Sequence, residues 1–372
     1  MGYNANNYYI PQALFLWDTP VLATLTSPHE QALTLLFAEL EETAAAQRDA
    51  FLGTPGTLAQ RTNDNGTKYW VHRYLDGVGR RKETYLGTLD DPDVTAHVDA
   101  LREKISVATA TIARVRVLAR SGFANVDRKT YSTVASLSNH GLFRAGALLV
   151  GSHAFGALLN ALGVRAVVYA TEDVDIGRGE QLALSGVPPF LGMLRETGIE
   201  FFEVPALHRR APSTSYAERG GSRLKVDLLV PSSDESYRTI AVPELRANAQ
   251  GLPYLRYLLG SSQEVPLLSP HGVVMVRVPV PERFAVHKLL VSQLRAKTTS
   301  KPAKDLRQAA TLIETIVERF PGALEDAMDA IPRSATKLIR RAMVALESHL
   351  PASAESAWDA LRSLKGRQVA RR

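Results

Sequence analysis

The stretch that decides the fold is GSHAFG at residues 151–156, and TEDVDI follows it at residues 171–176. An apolar run precedes the Gly-Ser pair, which predicts a strand that turns sharply into a helix. The second segment predicts a strand on which Asp173 and Asp175 point to the same face, because residues two apart do so. Two adjacent carboxylates are costly unless a positive group lies between them, and a divalent metal that carries a phosphate meets this need.

A third carboxylate lies on a later strand. Residues 223–230 read RLKVDLLV, an apolar strand pattern that contains one aspartate, Asp227. Burying an isolated carboxylate costs several kcal/mol or forces its protonation, so Asp227 needs a partner. A metal next to Asp173 and Asp175 would serve, since carboxylates on neighbouring strands can hold two Mg²⁺ ions roughly 3.5–4 Å apart. The three aspartates are therefore the predicted metal ligands and catalytic carboxylates.

The Gly-Ser turn supplies groups that suit a phosphate. Gly151 lets the backbone approach a phosphate closely, and the first turn of the following helix offers free N–H groups. Ser152 can donate its hydroxyl to a phosphate oxygen. Anion-binding donors and metal-binding carboxylates then flank one small volume, as phosphoryl transfer requires.

Taken together, the Gly-Ser turn, the pair Asp173 and Asp175, and Asp227 resemble the motifs of the DNA polymerase β-type nucleotidyltransferase superfamily, over about residues 144–310. In that family the Gly-Ser turn holds the triphosphate and the three carboxylates bind two metals. The gap between Ser152 and Asp173 is longer than in the shortest members of the superfamily. In this respect the chain resembles the group that includes the abortive-infection and type IV toxin nucleotidyltransferases. The resemblance implies two Mg²⁺ ions, with Mn²⁺ as an alternative, and an NTP such as ATP as substrate.

That toxin-like group also carries a lysine on a later helix and a Lys-Asp pair after it. FAVHKL at residues 284–289 and KDL at residues 304–306 resemble these elements. The resemblance implies that Lys288 contacts the triphosphate or acts near the acceptor hydroxyl, and that Asp305 orients that lysine or the acceptor. Two plainer interpretations stay open: a surface lysine for Lys288 and a solvated helix face for Asp305. Neither His153 nor His287 has a second histidine at metal-ligand spacing, so each is interpreted as structural or as lining the site.

The composition fits a globular protein of two or three domains. The chain has 372 residues, of which 45% are hydrophobic and 22% charged. It has no cysteine, which excludes disulfides and thiolate metal sites or nucleophiles. No apolar run is long enough to cross a membrane and the N-terminus lacks the signal-peptide pattern, so we expect a cytoplasmic protein that does not bind membranes. The net charge of +6 suits a polyanionic partner or an NTP.

The order of the patterns predicts an α+β fold, in which a polymerase β-like mixed sheet is flanked by helices. Four regions are predicted: an N-terminal helix with a small β-meander that can position substrate at 1–90, a helical connector at 91–143, the catalytic core at 144–280 and a helical domain at 281–372. Within the core we also predict a strand at 166–169, a helix at 181–196 and a polar loop at 209–221.

The predicted meander mixes aromatic and basic side chains. Trp70 and Tyr74 alternate with other residues along its central strand, and Arg80, Arg81 and Lys82 follow. Such a sheet can stack bases and bind phosphates, and the basic cluster is a candidate for positioning substrate. The alternative, which we favour slightly for the two aromatic residues, is that they form the core of the small domain.

We therefore expect a Mg²⁺-dependent nucleotidyltransferase that moves an NMP from an NTP to a hydroxyl and releases pyrophosphate. RNA, tRNA included, is the favoured acceptor, with a protein or a small molecule as alternatives. The resemblance also implies a toxin-like role with an antitoxin partner. A second hypothesis is a non-catalytic nucleic-acid-binding or regulatory module on the same scaffold, and a third is an interaction protein built on the helical regions.

Overall fold

The first elements of the chain are a small sheet and a long helix. The computed structural model describes residues 24–168, 171–206, 211–220, 224–233, 236–295 and 299–370. In chain order it begins with β1 (Ser27–Pro28), α1 (Gln31–Ala46), β2 (Thr57–Thr62), β3 (Lys68–Leu75), β4 (Arg81–Thr88) and α2 (Pro92–Arg120). Strands β2, β3 and β4 pair antiparallel in a three-stranded sheet, the meander. Helix α2 starts where the sequence predicts, because the Asp91 side chain accepts hydrogen bonds from the N–H groups of Asp93 and Val94.

The middle of the chain forms a mixed sheet. Its elements, in order, are α3 (Arg128–Asn139), β5 (Ala147–Val150), α4 (Gly151–Ala161), β6 (Val164–Arg165), β7 (Asp173–Arg178), α5 (Phe190–Arg195), β8 (Phe201–Glu203), β9 (Ser215–Glu218), β10 (Lys225–Pro231), β11 (Thr239–Val242) and β12 (Ala247–Leu252). The strand order is β11-β12-β10-β7-β5, and β9 joins β8 to β10. Strand β10 runs parallel to β7 and β12, whereas β5 runs antiparallel to β7 and β9 antiparallel to β10. Strands β7 and β10 therefore lie side by side at the centre of the sheet.

A hairpin and a group of helices complete the fold. They are α6 (Leu255–Leu259), β13 (Ser262–Ser269), β14 (Gly272–Pro279), α7 (Pro281–Leu294), α8 (Lys301–Arg319), α9 (Ala323–Asp329), α10 (Thr336–Leu346) and α11 (Glu355–Ala370), with 3₁₀ turns at Pro243–Leu245, Arg333–Ala335 and Glu347–His349. The hairpin of β13 and β14 packs against α2, α3 and α4. Helix α7 is buried along most of its length because it packs against α8, α9 and α10. In the described part of the chain, no helix has both the length and the apolar character needed to cross a lipid bilayer.

Three predicted elements differ from the observed ones. The helix predicted at 181–196 is confined to α5, because Gly186, Pro188 and Pro189 interrupt the segment before it. The strand predicted at 166–169 is not formed by residues 166–168, and its last residue lies outside the described residues. The loop predicted at 209–221 contains the strand β9, while residues 209–210 and 221 lie outside the described residues.

Candidate active site

The Gly-Ser turn lies directly against one of the carboxylates. Strand β5 ends at Val150, which pairs with Asp175 of β7, and Gly151 follows with a φ of +72°. A Cβ atom placed on Gly151 would lie 2.1 Å from Asp175 Oδ2, closer than real side chains approach. Glycine is therefore required twice, by the left-handed backbone and by the neighbouring carboxylate. Ser152 follows in the first turn of α4, whose N–H groups have no partner within the helix.

Three carboxylates lie on the two central strands. Parallel pairing places Asp175 of β7 opposite Asp227 of β10, and Asp173 opposite Lys225. Asp173 and Asp175 share a face because they are two residues apart, and so do Lys225 and Asp227. The alternating aliphatic residues of both strands are fully buried, which fixes the register that aligns these polar residues: Val174, Ile176, Val226 and Leu228. The sheet thus brings the three aspartates predicted from the sequence onto neighbouring positions.

The charge around Asp175 is only partly compensated. Burial raises the pKa of Asp175 to about 6, and the carboxylates of Asp227 and Asp173 contribute to the rise. The ammonium groups of Lys288 and Lys225 act against it by lowering that pKa. Because the balance remains a raised pKa, an additional cation close to the three carboxylates would be favourable.

Asp227 already has two partners within the described structure. Lys225 Nζ donates a hydrogen bond to Asp227 Oδ2 at 2.8 Å, and the Ser215 hydroxyl donates to Oδ1. Burial lowers the pKa of Lys225, but the hydrogen bond and charge of Asp227 raise it above its ordinary value overall. Among the described residues, no three histidine or carboxylate side chains are placed so that they could hold a metal ion together. Binding of a metal by Asp227 would therefore require Lys225 to move.

A buried ion pair joins the two helices behind the site. Lys288 Nζ of α7 donates a hydrogen bond to Asp305 Oδ1 of α8 at 2.9 Å, and their side chains are only 10% and 2% exposed. Arg295 Nε lies 3.0 Å from the other carboxylate oxygen of Asp305. The interpretations of a surface lysine and of a solvated helix face are therefore wrong for this pair. Lys288 is held where its charge reaches Asp175, and Asp305 fixes it there.

The comparison with protein families decides which family this arrangement belongs to. The profile of a family described as nucleotidyltransferase matches residues 128–332, which is more than half of the 372-residue chain. The chain belongs to this nucleotidyltransferase family. A comparison with curated proteins gives no significant match. The matched range includes all the residues that the sequence analysis assigned to the nucleotidyltransferase site, from Gly151 to Asp305.

A cleft of about 1130 Å³ opens beside the nucleotidyltransferase site. Ser152, His153 and Asp173 line it, together with the segment 122–127 that joins α2 to α3. Ligand pockets for molecules of nucleotide size have volumes of roughly 300–1,000 Å³, so the cleft has room for an NTP. It connects the Gly-Ser turn and the exposed carboxylate of Asp173 to solvent.

His153 lines this cleft as a neutral group. Its side chain is 8% exposed, and Nε2 has no hydrogen-bond partner among the described residues. Burial lowers the pKa of His153 to about 4; the Asp127 carboxylate opposes this effect and the Lys304 ammonium adds to it. The imidazole is therefore uncharged at neutral pH, and the outcome agrees with the interpretation of His153 as a lining residue.

Three residues that contact the candidate site were missed by sequence reasoning. Lys225 could have been found, because it lies two residues before Asp227 on the same strand and thus on the same face. Ser215 lies in a segment that the sequence predicts to be a polar loop, so nothing indicated that it would reach Asp227. Arg295 follows the last residue of α7, and only the packing of α7 on α8 brings it to Asp305.

Proposed function

We propose that this nucleotidyltransferase transfers an NMP from an NTP to a hydroxyl acceptor and releases pyrophosphate. The observation that carries the proposal is the close approach of the Gly151-Ser152 turn to the carboxylate of Asp175, which has Asp227 beside it on the neighbouring strand. A phosphate-binding turn and a set of carboxylates next to each other are what phosphoryl transfer needs.

The donor set suits a divalent cation by its chemistry, although its side chains would have to move to hold one together. Carboxylate oxygens are the ligands preferred by Mg²⁺ and also suit Mn²⁺. Burial and two neighbouring carboxylates raise the pKa of Asp175 even though Lys288 and Lys225 lower it, so a further positive group beside Asp175 would be favourable. Asp173, Asp175 and Asp227 would hold the metal. When bound, it would neutralise phosphate charge and lower the pKa of the attacking hydroxyl. Lys225 would then release Asp227; its side chain is 38% exposed, so it has room to move.

The chain's own groups bind and orient the substrate. We assign the triphosphate to the Ser152 hydroxyl and the free N–H groups at the start of α4. Lys288 supplies a positive charge behind Asp175, and Asp305 positions it. The acceptor oxygen forms a bond to the α-phosphorus, the bond between that phosphorus and the bridging oxygen to the β-phosphate breaks, and pyrophosphate takes the electron pair. The hydroxyl proton passes to solvent.

Labelled transfer tests this function. The full-length protein is incubated with each α-³²P-labelled NTP, total cellular RNA or protein, and Mg²⁺, Mn²⁺ or EDTA. We expect labelling that needs a divalent metal and falls about 100-fold or more in Asp175→Asn and Asp227→Asn, because Asp175 lies next to the phosphate-binding turn and Asp227 lies opposite Asp175. Asp99→Asn, an exposed aspartate on α2 that pairs with Arg102, is the matched control and should transfer normally. Undiminished transfer in folded Asp227→Asn, or in EDTA, would contradict the proposal.

The contact between Lys225 and Asp227 favours a second candidate function. A lysine that permanently neutralises one carboxylate suits a non-catalytic module that binds nucleic acid on a nucleotidyltransferase scaffold. Such a module would bind RNA or DNA with strong salt dependence, would turn over no NTP, and would bind equally well after Asp227→Asn. The labelling experiment separates the two functions.

The finer parts of the function come from charge and from the resemblance. The net charge of +6 supports RNA, tRNA included, as the acceptor. The toxin-like role, the antitoxin partner and the cytoplasmic location stay predictions. Growth arrest on expression of the wild-type chain, absent for Asp175→Asn, would be the expected result for a toxin of this mechanism.

A further inference from the structure

A second cleft, which we call the basic cleft, lies between the meander, α2 and the hairpin of β13 and β14. Its volume is about 780 Å³. Four arginine or lysine side chains and one histidine line it: Arg73, Arg81, Lys82, Arg116 and His271. These residues come from strands β3 and β4, from α2 and from the hairpin tip, so the cleft exists only in the folded chain.

The positive charge of the basic cleft is only partly cancelled by nearby acids. Glu83 is the carboxylate that lines it, and this residue is already paired with Arg61 at 2.8 Å and Arg73 at 3.6 Å. In the described part of the chain, Arg81 and Lys82 form no ion pair, and both are exposed. A cleft with this balance attracts an anion with several charges.

The hairpin of β13 and β14 contacts residues of both clefts. Pro270 and His271 line the basic cleft, and Arg116 Nε donates to the carbonyl of Pro270 at 3.3 Å. On the other side, the N–H of Val126, which lines the active-site cleft, donates to the carbonyl of Leu268 at 2.9 Å. Leu268 and Pro270, two residues apart in the chain, thus each accept a hydrogen bond from a residue of a different cleft, so the two clefts lie close together.

The meander is fixed against the nucleotidyltransferase core, so the basic residues have a defined position. The N–H of Gly77 donates to the carbonyl of Thr197 at 3.0 Å, and a Cβ on Gly77 would lie 2.6 Å from that same oxygen. The Arg80 guanidinium donates to the carbonyl of Gly198. These contacts join the turn between β3 and β4 directly to the segment that follows α5.

An exposed tyrosine, packed beside a half-buried one, lies on the meander next to the basic cleft. Tyr85 is 61% exposed, and its ring centre lies 5.5 Å from that of Tyr69. Tyr85 shares a face of β4 with Glu83 and Arg81, because these residues are two and four positions before it. Exposed aromatic rings next to cations are the usual platform for single-stranded nucleic acid, since every base has a flat face that can stack. An acidic protein segment would use the cations but not the rings.

We propose that the acceptor is a single-stranded nucleic acid whose phosphates occupy the basic cleft and whose terminal hydroxyl reaches the carboxylate of Asp173 through the adjacent active-site cleft. The proposal rests on the proposed function for the reaction, but the binding surface is independent of it. Arg81, Lys82 and Arg116 contact the backbone, and Tyr85 stacks on a base. The strand passes the hairpin tip at Pro270 and His271.

Binding of a fluorescein-labelled 20-nucleotide RNA of random sequence tests the surface without turnover. Fluorescence anisotropy of the full-length protein is measured in EDTA, without NTP, between 50 and 200 mM NaCl. For single strands each phosphate contact contributes about 0.7 to the slope of log affinity against log salt, so Arg81→Ala/Lys82→Ala should lower the slope by about 1.4. Tyr85→Ala should weaken binding about fivefold or more, whereas Tyr85→Phe should not.

A matched control and a transfer assay complete the test. Lys337→Ala/Arg341→Ala removes two exposed charges from α10, which lines neither cleft, and should keep the wild-type slope. Unchanged RNA binding in Arg81→Ala/Lys82→Ala would overturn the proposal, even if the enzyme transfers nucleotides. If that variant and the wild type label a protein or a small molecule equally well, the acceptor is not a nucleic acid. The proposed function, nucleotide transfer to a hydroxyl, would still hold. Absence of transfer from every NTP, with RNA binding intact, would instead overturn the proposed function and with it the acceptor role.

Discussion

Substitution of Gly151 by alanine tests the geometry on which the proposed function depends. The added Cβ would lie 2.1 Å from Asp175 Oδ2, and real Cβ atoms essentially never come within 3.0 Å of another heavy atom. The carboxylate or the turn must therefore shift by at least about 0.9 Å. A misplacement of about 1 Å in an active site costs on the order of 100-fold in rate. The left-handed backbone at φ +72° adds a stability cost of about 1–2 kcal/mol for any residue with a side chain.

Gly186→Ala separates these two effects. Gly186 has a φ of +71°, nearly that of Gly151, but a Cβ there would meet no atom within 4 Å. Both variants should lose about 1–2 kcal/mol in the free energy of unfolding, measured by urea denaturation. Only Gly151→Ala should lose about 100-fold in the initial rate of labelled NMP transfer at saturating NTP.

Two outcomes would refute this reasoning. If folded Gly151→Ala transfers nucleotides within about threefold of Gly186→Ala, the position of Asp175 against the turn does not matter for the reaction. If both variants lose activity equally, the loss follows from backbone strain and not from the contact with the carboxylate.

Two further predictions concern buried ion pairs. Asp305→Ala leaves the buried ammonium of Lys288 without its carboxylate and should lower the free energy of unfolding by about 3–5 kcal/mol. The double variant Lys288→Met/Asp305→Leu should regain stability in urea denaturation but should not regain nucleotide transfer. An Asp305→Ala variant as stable as the wild type would contradict the role of the pair. Burial raises the pKa of Glu244, but hydrogen bonds from Leu182 N–H and Arg178, with the charge of Arg178, lower it overall below its ordinary 4.5. Its stabilising contribution is therefore complete above about pH 4.5 and is lost as the pH falls through the lower folded value. Unfolding of the wild type at acid pH should show a steeper loss of stability than Glu244→Gln, and parallel pH curves would argue against this pair.

The central strands could be predicted because their physical signals are local. Alternation around Asp173 and Asp175 needs only a strand with one buried face, and Asp227 stands out as the single acid in an apolar run. Helix α2, from Pro92 to Arg120, lies within the region predicted as a helical connector at 91–143, and proline, a capping aspartate and a long stretch without breakers are all local features.

What could not be predicted depends on contacts between distant segments. Gly186, Pro188 and Pro189 interrupt the helix expected at 181–196, but the sequence does not reveal where the irregular segment before α5 goes: Leu182 packs into the core and its N–H donates to Glu244, more than 60 residues away. Ser215 reaches Asp227 only because β9 pairs with β10. The burial of Lys288 follows from the packing of three helices around α7, which no spacing in the sequence reveals.

Helix α2 contributes to the distance and the angle between the meander and the wall of the active-site cleft. Its 29 residues span about 43 Å at 1.5 Å per residue. Arg102, in the first half of the helix, lies over the ring of Trp70 in the meander, and beyond the C-terminal end the chain enters the wall of the active-site cleft at Gly122. Deleting one residue from a helix turns everything beyond it by about 100°, whereas a loop absorbs the same change. The length of α2 is therefore constrained. We expect insertions and deletions in related chains to occur in the turns of the meander and not in this helix.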